Sequence, residues 1–206
     1  MARLWPVDGV VGENGGLWFW RDEGRMHRRF HQPEPERRRN QQRLRDLGTT
    51  ILRRVPGTAL ASDQPYRELD LAIDFCEDVP ALGDDAIDAI VATFEEAGAI
   101  CKVSSIHVNG WFGQFDKLTG VRRFVQDRWG EDLESQLDRW LYVGDSANDE
   151  PMFAHFPHTA GVANVRRFLP RMSAHPRWIT ARPGGLGFAD LVDRVLTARN
   201  VSTMRA

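Results

Sequence analysis

Leu141-Tyr142-Val143-Gly144-Asp145-Ser146-Ala147-Asn148-Asp149 is the stretch on which the reading of this chain turns. A short apolar run stops abruptly at a glycine and an aspartate. That pattern predicts a buried strand that delivers Asp145 at its carboxyl end, where open α/β sheets place their ligands. Asp149 follows one helical turn later, so the spacing predicts two carboxylates facing one point. Two hard oxygen ligands at a strand end suit Mg²⁺, which takes a few carboxylates and completes its shell with water and phosphate. Gly144 permits a tight turn, and Ser146 and Asn148 can donate hydrogen bonds. The same residues also fit an aspartate N-cap with a second acid in the first turn, a purely stabilising arrangement. Spacing alone leaves the two readings even.

Outward from this stretch, strand and helix patterns alternate. Residues 7–11 form an apolar run punctuated by Gly12 and Gly15-Gly16, and residues 17–20 and 26–30 suggest a hairpin around Glu23-Gly24. Residues 35–54 carry Leu44, Leu47 and Ile51 on one helical stripe that leads to Val55, with Pro56-Gly57 as a stop. Leu69, Leu71, Ile73 and Phe75 alternate with Asp70, Ala72 and Asp74, which predicts a half-buried strand. Asp84 is placed to cap a helix with Ile87, Ile90, Val91 and Phe94 on one face, ended by Gly98, and a strand follows at Ile106 and Val108. A helix from Lys117 to Trp129 would bury Leu118, Val121, Val125 and Trp129. Short strands are expected at 140–143, 162–163 and 178–179, and a last helix carries Phe188, Leu191, Val192 and Val195. The alternation implies an α/β protein with a largely parallel sheet.

Composition excludes several classes. At 206 residues the chain can bury a core without metal or disulfide staples. Hydrophobic residues make up 42% and charged residues 27%, against a disordered chain. Cys76 and Cys101 form no CxxC pair and fit free thiols in a reducing cytoplasm. No apolar stretch approaches the roughly 18 residues of a membrane span, and the start carries no signal-peptide pattern, so a cytoplasmic protein is expected. The net charge of -2 argues against a nucleic-acid binder. Charge is nevertheless segregated: residues 21–54 hold 11 Arg against 5 acids, and residues 63–96 hold 11 acids against Arg67 alone. Two faces attracting each other explain this more simply than a nucleic-acid patch around Arg37, Arg38, Arg39, Arg43 and Arg45.

Gly144-Asp145-Ser146-Ala147-Asn148-Asp149 resembles the fourth motif of the haloacid-dehalogenase superfamily of phosphatases, in the branch of the Cof-type, sucrose-phosphate and mannosyl-phosphoglycerate phosphatases with a type IIB cap. Asp116-Lys117-Leu118-Thr119-Gly120 resembles the third motif, and Val10-Val11-Gly12-Glu13-Asn14-Gly15-Gly16 the segment at which these enzymes leave the core for the cap. Gly161-Val162-Ala163-Asn164 and Gly184-Gly185-Leu186-Gly187-Phe188 are similar to the closing strand and the entry to the last helix. The resemblance covers nearly the whole chain. It implies a Rossmann-like core formed by residues 1–16 and 110–206, with an α/β cap at 17–109. It also implies Mg²⁺-dependent hydrolysis of a small phosphorylated metabolite, a sugar phosphate being the expected class, through an aspartyl-phosphate. Asp145 and Asp149 would serve the metal, Lys117 would neutralise charge on the nucleophile and phosphoryl oxygens, and Asn148 would orient the phosphate. For Lys117 the residues alone offer a solvated lysine at a helix start, an electrostatically poor place for a cation.

One expected motif is missing. The family opens with Asp-x-Asp-x-Thr, and this chain contains no Asp-x-Asp; Asp8 has Pro6 two residues before it, which cannot be a nucleophile. The resemblance therefore supplies no nucleophile, no general acid and no second-motif hydroxyl. The expectation is a chain that starts partway into its core sheet, with a homo-oligomer or partner over the open edge. The alternative function is a catalytically inactive remnant that binds a phosphorylated ligand or a protein partner. Among the remaining residues, His155 and His158 give a weak zinc pattern with no third ligand. His107 suits a packed histidine better than a substrate contact, and Trp18, Trp20 and Trp111 suit packing better than a sugar-stacking platform.

Overall fold

The computed structural model describes residues 1–203, with side chains through residue 198. The chain divides into two compact units, Met1–Leu133 and Glu134–Ala206.

In the first unit, β1 (Gly9–Gly12), β2 (Leu17–Asp22) and β3 (Arg25–Phe30) form an antiparallel sheet in that order. The β2–β3 hairpin closes on two residues, Glu23 (φ 45°) and Gly24 (φ 79°). Positive φ at both central positions matches the twist of the flanking strands. The expected cap entry at Leu17 falls inside this sheet, between β1 and β2. Trp18 and Trp20 are buried, and the Trp18 indole N–H donates to Asp127 at 2.8 Å.

A second sheet has the order β4-β5-β7-β6 and is antiparallel throughout: β4 (Ala59–Leu60), β5 (Asp70–Asp74), β6 (Ile100–Val103) and β7 (His107–Trp111). Two helices, α1 (Glu34–Arg54) and α2 (Asp84–Glu96), pack against it. Leu44, Leu47 and Ile51 of α1 and Ile90 and Phe94 of α2 share one core with Leu71, Ile73 and Val108. Each such apolar side chain contributes roughly 1.5–3 kcal/mol by leaving water. The Phe94 ring lies so close to β7 that a Cβ at Gly110 would stand 2.1 Å from it. Arg28 and Arg37 both pair with Glu68, and Arg54 pairs with Glu96, so the basic and acidic stretches of the sequence do meet.

Three sequence expectations change here. β5 is buried along its whole length, not half-buried. Its acids are paired internally: Asp74 accepts the backbone N–H groups of Cys76, Glu77 and Asp78, and Asp70 pairs with Arg67. Burial alone would raise the Asp74 pKa, but the three donors outweigh it and hold the carboxyl below its usual range. Gly83, not Asp84, is the N-cap of α2, and Asp84 is its first helical residue. β4 and β6 are additional strands, too short for a period to show.

Helix α3 (Lys117–Trp129) closes the first unit. The Asp116 side chain caps it by accepting the Thr119 N–H at 2.7 Å, and Gly130 (φ 70°) ends it. Its buried face is Gly120, Phe124 and Val125; Leu118 and Val121 are half-buried and Trp129 is exposed. The shift arises because Gly120 backs onto Gly15, where no side chain fits between them.

The second unit carries a parallel sheet in the order β10-β9-β8, from β8 (Leu141–Gly144), β9 (His158–Gly161) and β10 (Trp178–Ile179), with α4 (Glu150–His155) and α5 (Gly184–Thr203). Phe153, Val165 and Met172 form its core, with Tyr142 and Ile179 packed on it. The strand expected at 162–163 ends earlier, at Gly161, and Val162 caps a 3₁₀ turn. On α5, Phe188 and Val195 are exposed, so the expected apolar stripe is not a buried one. The helix approaches its unit closely through Gly187, where a Cβ would lie 2.1 Å from the Arg182 carbonyl oxygen. Among the described residues, no helix is long and apolar enough to cross a membrane. Strands, helices and a parallel sheet together make an α/β fold, but the expected largely parallel arrangement is confined to this unit, since both sheets of the first unit are antiparallel.

Candidate functional site

The chemistry-bearing residues lie in two places, one in each unit. In the second unit, β8 ends at Gly144 and delivers Asp145, which is half-buried. Asp149 is buried one turn later, and both of its oxygens are engaged. Oδ2 accepts the backbone N–H of Asp145 at 2.8 Å and of Ser146 at 3.2 Å, and Oδ1 accepts the Tyr142 hydroxyl at 2.6 Å. A Cβ at Gly144 would lie 2.6 Å from Asp149 Oδ2, so the close approach of that carboxylate requires the glycine. Burial and the charge of Asp149 hold the Tyr142 hydroxyl far above its ordinary pKa, which keeps it a donor. The Ser146 hydroxyl reaches Asn148 Oδ1 at 2.9 Å and Asp145 Oδ1 at 3.3 Å.

This geometry separates the two carboxylates. Asp149 is tied into its own turn, the stabilising role that the spacing left open. Asp145 stands at the strand end as a hard oxygen donor. Among the described residues there is no group of three His, Cys, Asp or Glu that could hold a metal. The fit to Mg²⁺ therefore rests on Asp145 as one carboxylate, with the remaining ligands from phosphate and water, a mode that this ion accepts. His155 pairs with Glu134 and His158 stacks on Trp178, so each has another partner.

In the first unit, Lys117 is the first residue of α3 and is half-buried. The turn Glu13–Gly15 packs against that helix start. Gly15 (φ 95°) sits where a Cβ would be 1.9 Å from the Asp116 carbonyl oxygen. Glu13 (φ 46°) and Asn14 (φ 55°) are also left-handed, a strained state for residues with side chains. The strain is offset by what the two side chains reach. Glu13 Oε2 accepts the backbone N–H groups of Glu68 at 2.9 Å, Leu69 at 2.5 Å and Asp70 at 3.3 Å, and Asn14 donates to Asp70 at 2.9 Å.

These residues begin the lining of a polar cavity of ≈ 480 Å³. Arg67 is its centre: Nε and Nη2 donate to Asp63 at 2.8 and 3.0 Å, and Nη1 to Asp70 at 3.1 Å and to Asn109 at 3.4 Å. His107 is buried on β7 with Nε2 2.9 Å from Glu77 Oε2, so the histidine weighed from sequence as a packed residue lines this cavity. Burial first, and then the charge of Asp70, push the Glu13 carboxyl up to about 7. Asp70 is raised too, mainly by burial, with Arg67 and Asn14 opposing. Sequence reasoning missed Glu13, Asn14, Arg67, Asp70 and Asn109 as site residues. The one available signal was two acids inside an otherwise apolar strand at Asp70 and Asp74. Trp111 is buried, and its indole N–H donates to the Phe115 carbonyl at 3.0 Å, so it offers no stacking surface.

The sequence matches no family model and no curated protein. Solved structures do match. A Thermoplasma acidophilum protein aligns with a TM-score of 0.61 at 19% identity, over 92% of this chain and 73% of its own. The sucrose-phosphatase of Synechocystis, solved with sucrose and phosphate, aligns with a TM-score of 0.61 at 16% identity, over 93% and 75%. A trehalose-6-phosphate phosphatase related protein aligns with a TM-score of 0.54 at 11% identity, over 96% and 74%. At these identities the likeness is one of fold. The fold is the one these solved structures share, a sucrose-phosphatase among them.

Proposed function

We propose that this chain is a Mg²⁺-dependent phosphatase acting on a small phosphorylated metabolite, with a sugar phosphate as the substrate class, in the cytoplasm. The observation that carries the reading is Asp145, set at the carboxyl end of a parallel strand by a turn that consumes Asp149. A fold shared with phosphatases and the motif order Lys117, Asp145, Asn148 support it. In this reading Asp145 holds Mg²⁺, which when bound supplies electrophilic stabilisation of phosphoryl oxygens. Asn148 orients the phosphate, and Lys117 neutralises developing charge. Asp149 positions Asp145 through the backbone between them. Residues 17–109 are proposed as the cap and 1–16 with 110–206 as the core.

A second reading is favoured by one feature: no Asp-x-Asp occurs in the 206 residues, so no nucleophile is assigned by motif. It makes the chain a non-catalytic binder of a phosphorylated ligand or of a protein partner. Phosphate release from an aryl phosphate and a sugar-phosphate panel, with and without Mg²⁺, separates the two. Mg²⁺-dependent turnover abolished by Asp145→Asn supports the enzyme. Saturable binding of a phosphorylated ligand without turnover supports the binder.

A further inference from the structure

We propose that Tyr142 sets the cation affinity of the Asp145 turn: its hydroxyl competes with Mg²⁺ for Oδ1 of Asp149, and the ion gains this second carboxylate only by displacing it. The inference rests on the proposed Mg²⁺ site at Asp145 and adds a residue outside the Gly144–Asp149 motif. Every group it uses lies within the second unit.

The two carboxylates differ in what an arriving cation must break. Asp145 Oδ1 has the Ser146 hydroxyl at 3.3 Å, a long contact that costs little to lose. Asp149 is engaged at both ends. Its Oδ2 accepts two backbone N–H groups whose positions the chain path fixes, so it is not released without unwinding the turn. Its Oδ1 accepts the Tyr142 hydroxyl at 2.6 Å, inside the range of charge-assisted bonds. Of the two oxygens, Oδ1 is the one that a cation can win, because that donor is a side chain.

The donor cannot follow the carboxylate. The Tyr142 ring stacks on Phe156 with centroids 5.8 Å apart and meets Phe153 edge to face at 5.7 Å, and both phenylalanines are buried. A ring packed in this way keeps its place, so the hydroxyl stays where the folded turn puts it. A shift of Asp149 toward a cation then lengthens the bond and leaves a half-buried donor poorly paired. The hydroxyl hydrogen also carries partial positive charge, and a dication at the same oxygen repels it.

The consequence is a threshold for the ion. Mg²⁺ gives up its hydration water reluctantly and is bound through the carboxylates that enter its shell. Asp145 supplies the first, and Tyr142 opposes the second. A hydrogen bond to a charged group is strong enough to change an equilibrium on the order of tenfold or more. Tyr142 acts through Asp149 and is a positioning residue, not a ligand.

The test reads the tyrosine and the ion separately. The chain has two tyrosines, and Tyr66 is 85% exposed, so tyrosine labelled with carbon-13 at the hydroxyl-bearing carbon gives two resonances with Tyr66 as internal reference. Saturation of the full chain with Mg²⁺ should move the Tyr142 resonance and leave that of Tyr66 in place. By calorimetric titration, Tyr142→Phe should bind Mg²⁺ about tenfold tighter than the parent chain, although it is the less stable protein. A purely structural hydroxyl would have the opposite effect, since its loss would loosen the turn and weaken binding. In an Asp149→Asn background the same substitution should leave Mg²⁺ affinity unchanged, because the contested carboxylate is gone. A Tyr142 resonance that stays in place at saturation, equal or weaker Mg²⁺ binding by Tyr142→Phe, or no Mg²⁺ binding by the parent chain at millimolar concentration overturns the inference. Where Tyr142→Phe does not fold, the resonance decides alone. Mg²⁺ binding that moves Tyr142 without phosphate release leaves the inference standing and removes the phosphatase reading alone; Mg²⁺-dependent phosphate release with an unmoved Tyr142 does the reverse.

Discussion

The Tyr142 hydroxyl donates to Oδ1 of Asp149 at 2.6 Å from within the same strand-turn unit. With two backbone N–H groups on Oδ2, it braces the Asp145 turn from within. Tyr142→Phe leaves a buried carboxylate oxygen without this donor and should cost about 1–3 kcal/mol. Asp149→Asn presents an amide to N–H donors and should cost at least as much. Thermal unfolding measures both, and a stability equal to that of the parent chain in both variants would falsify the brace.

Asp145 gives the complementary outcome. Asp145→Asn keeps the size and hydrogen-bonding capacity of a half-buried residue, so unfolding should move by less than about 1 kcal/mol. Mg²⁺ affinity should fall at least tenfold, read by calorimetric titration of the ion alone. Unchanged Mg²⁺ binding in this variant would place the ion elsewhere.

Glu13 makes stability depend on pH. Its folded pKa, about 7, lies above the ordinary 4.5, so folding favours the protonated acid. That stabilisation is fully present below about pH 4.5 and is lost as pH rises through about 7. The full loss is on the order of 3 kcal/mol. Glu13→Gln keeps an acceptor for the three N–H groups and removes the titration. Denaturant midpoints of parent and variant should therefore diverge between pH 5 and pH 8 in favour of Gln; parallel pH profiles would show that Glu13 does not titrate in this window.

Gly15 is required twice, by its φ of 95° and by the Asp116 carbonyl. Gly15→Ala should destabilise by more than about 2 kcal/mol. Gly24→Ala, at φ 79° with open space around it, should cost only about 1 kcal/mol, because strain acts there without a clash. Comparing the two by chemical denaturation isolates the contact from the conformation.

Much of the fold was legible because local chemistry agrees with the tertiary outcome. Leu44, Leu47 and Ile51 repeat at the helical period and do face a sheet, and Glu23-Gly24 is a turn in any context. Legibility failed where contact overrides period. The Gly15–Gly120 approach rotates the buried face of α3 away from Leu118 and Trp129. β5 buries its polar positions because Arg67 and three backbone N–H groups meet them. At the candidate site, Asp145 was legible as a carboxylate at a strand end. Asp149 was not separable from it, since spacing places two acids near one point but cannot show which donors each meets.

From its sequence alone, this protein was determined to be an α/β chain with a parallel strand ending in Gly144-Asp145, because period, glycine position and strand length are local properties. The tertiary structure alone decided that Asp149 accepts from Tyr142 and from the backbone of residues 145 and 146, that Arg67 pairs with Asp63 and Asp70, and that Glu13 reaches the backbone of residues 68–70. Those facts depend on groups 3 to 57 residues apart meeting in space. Their energies come from burial and from the partners found there, neither of which a linear pattern carries.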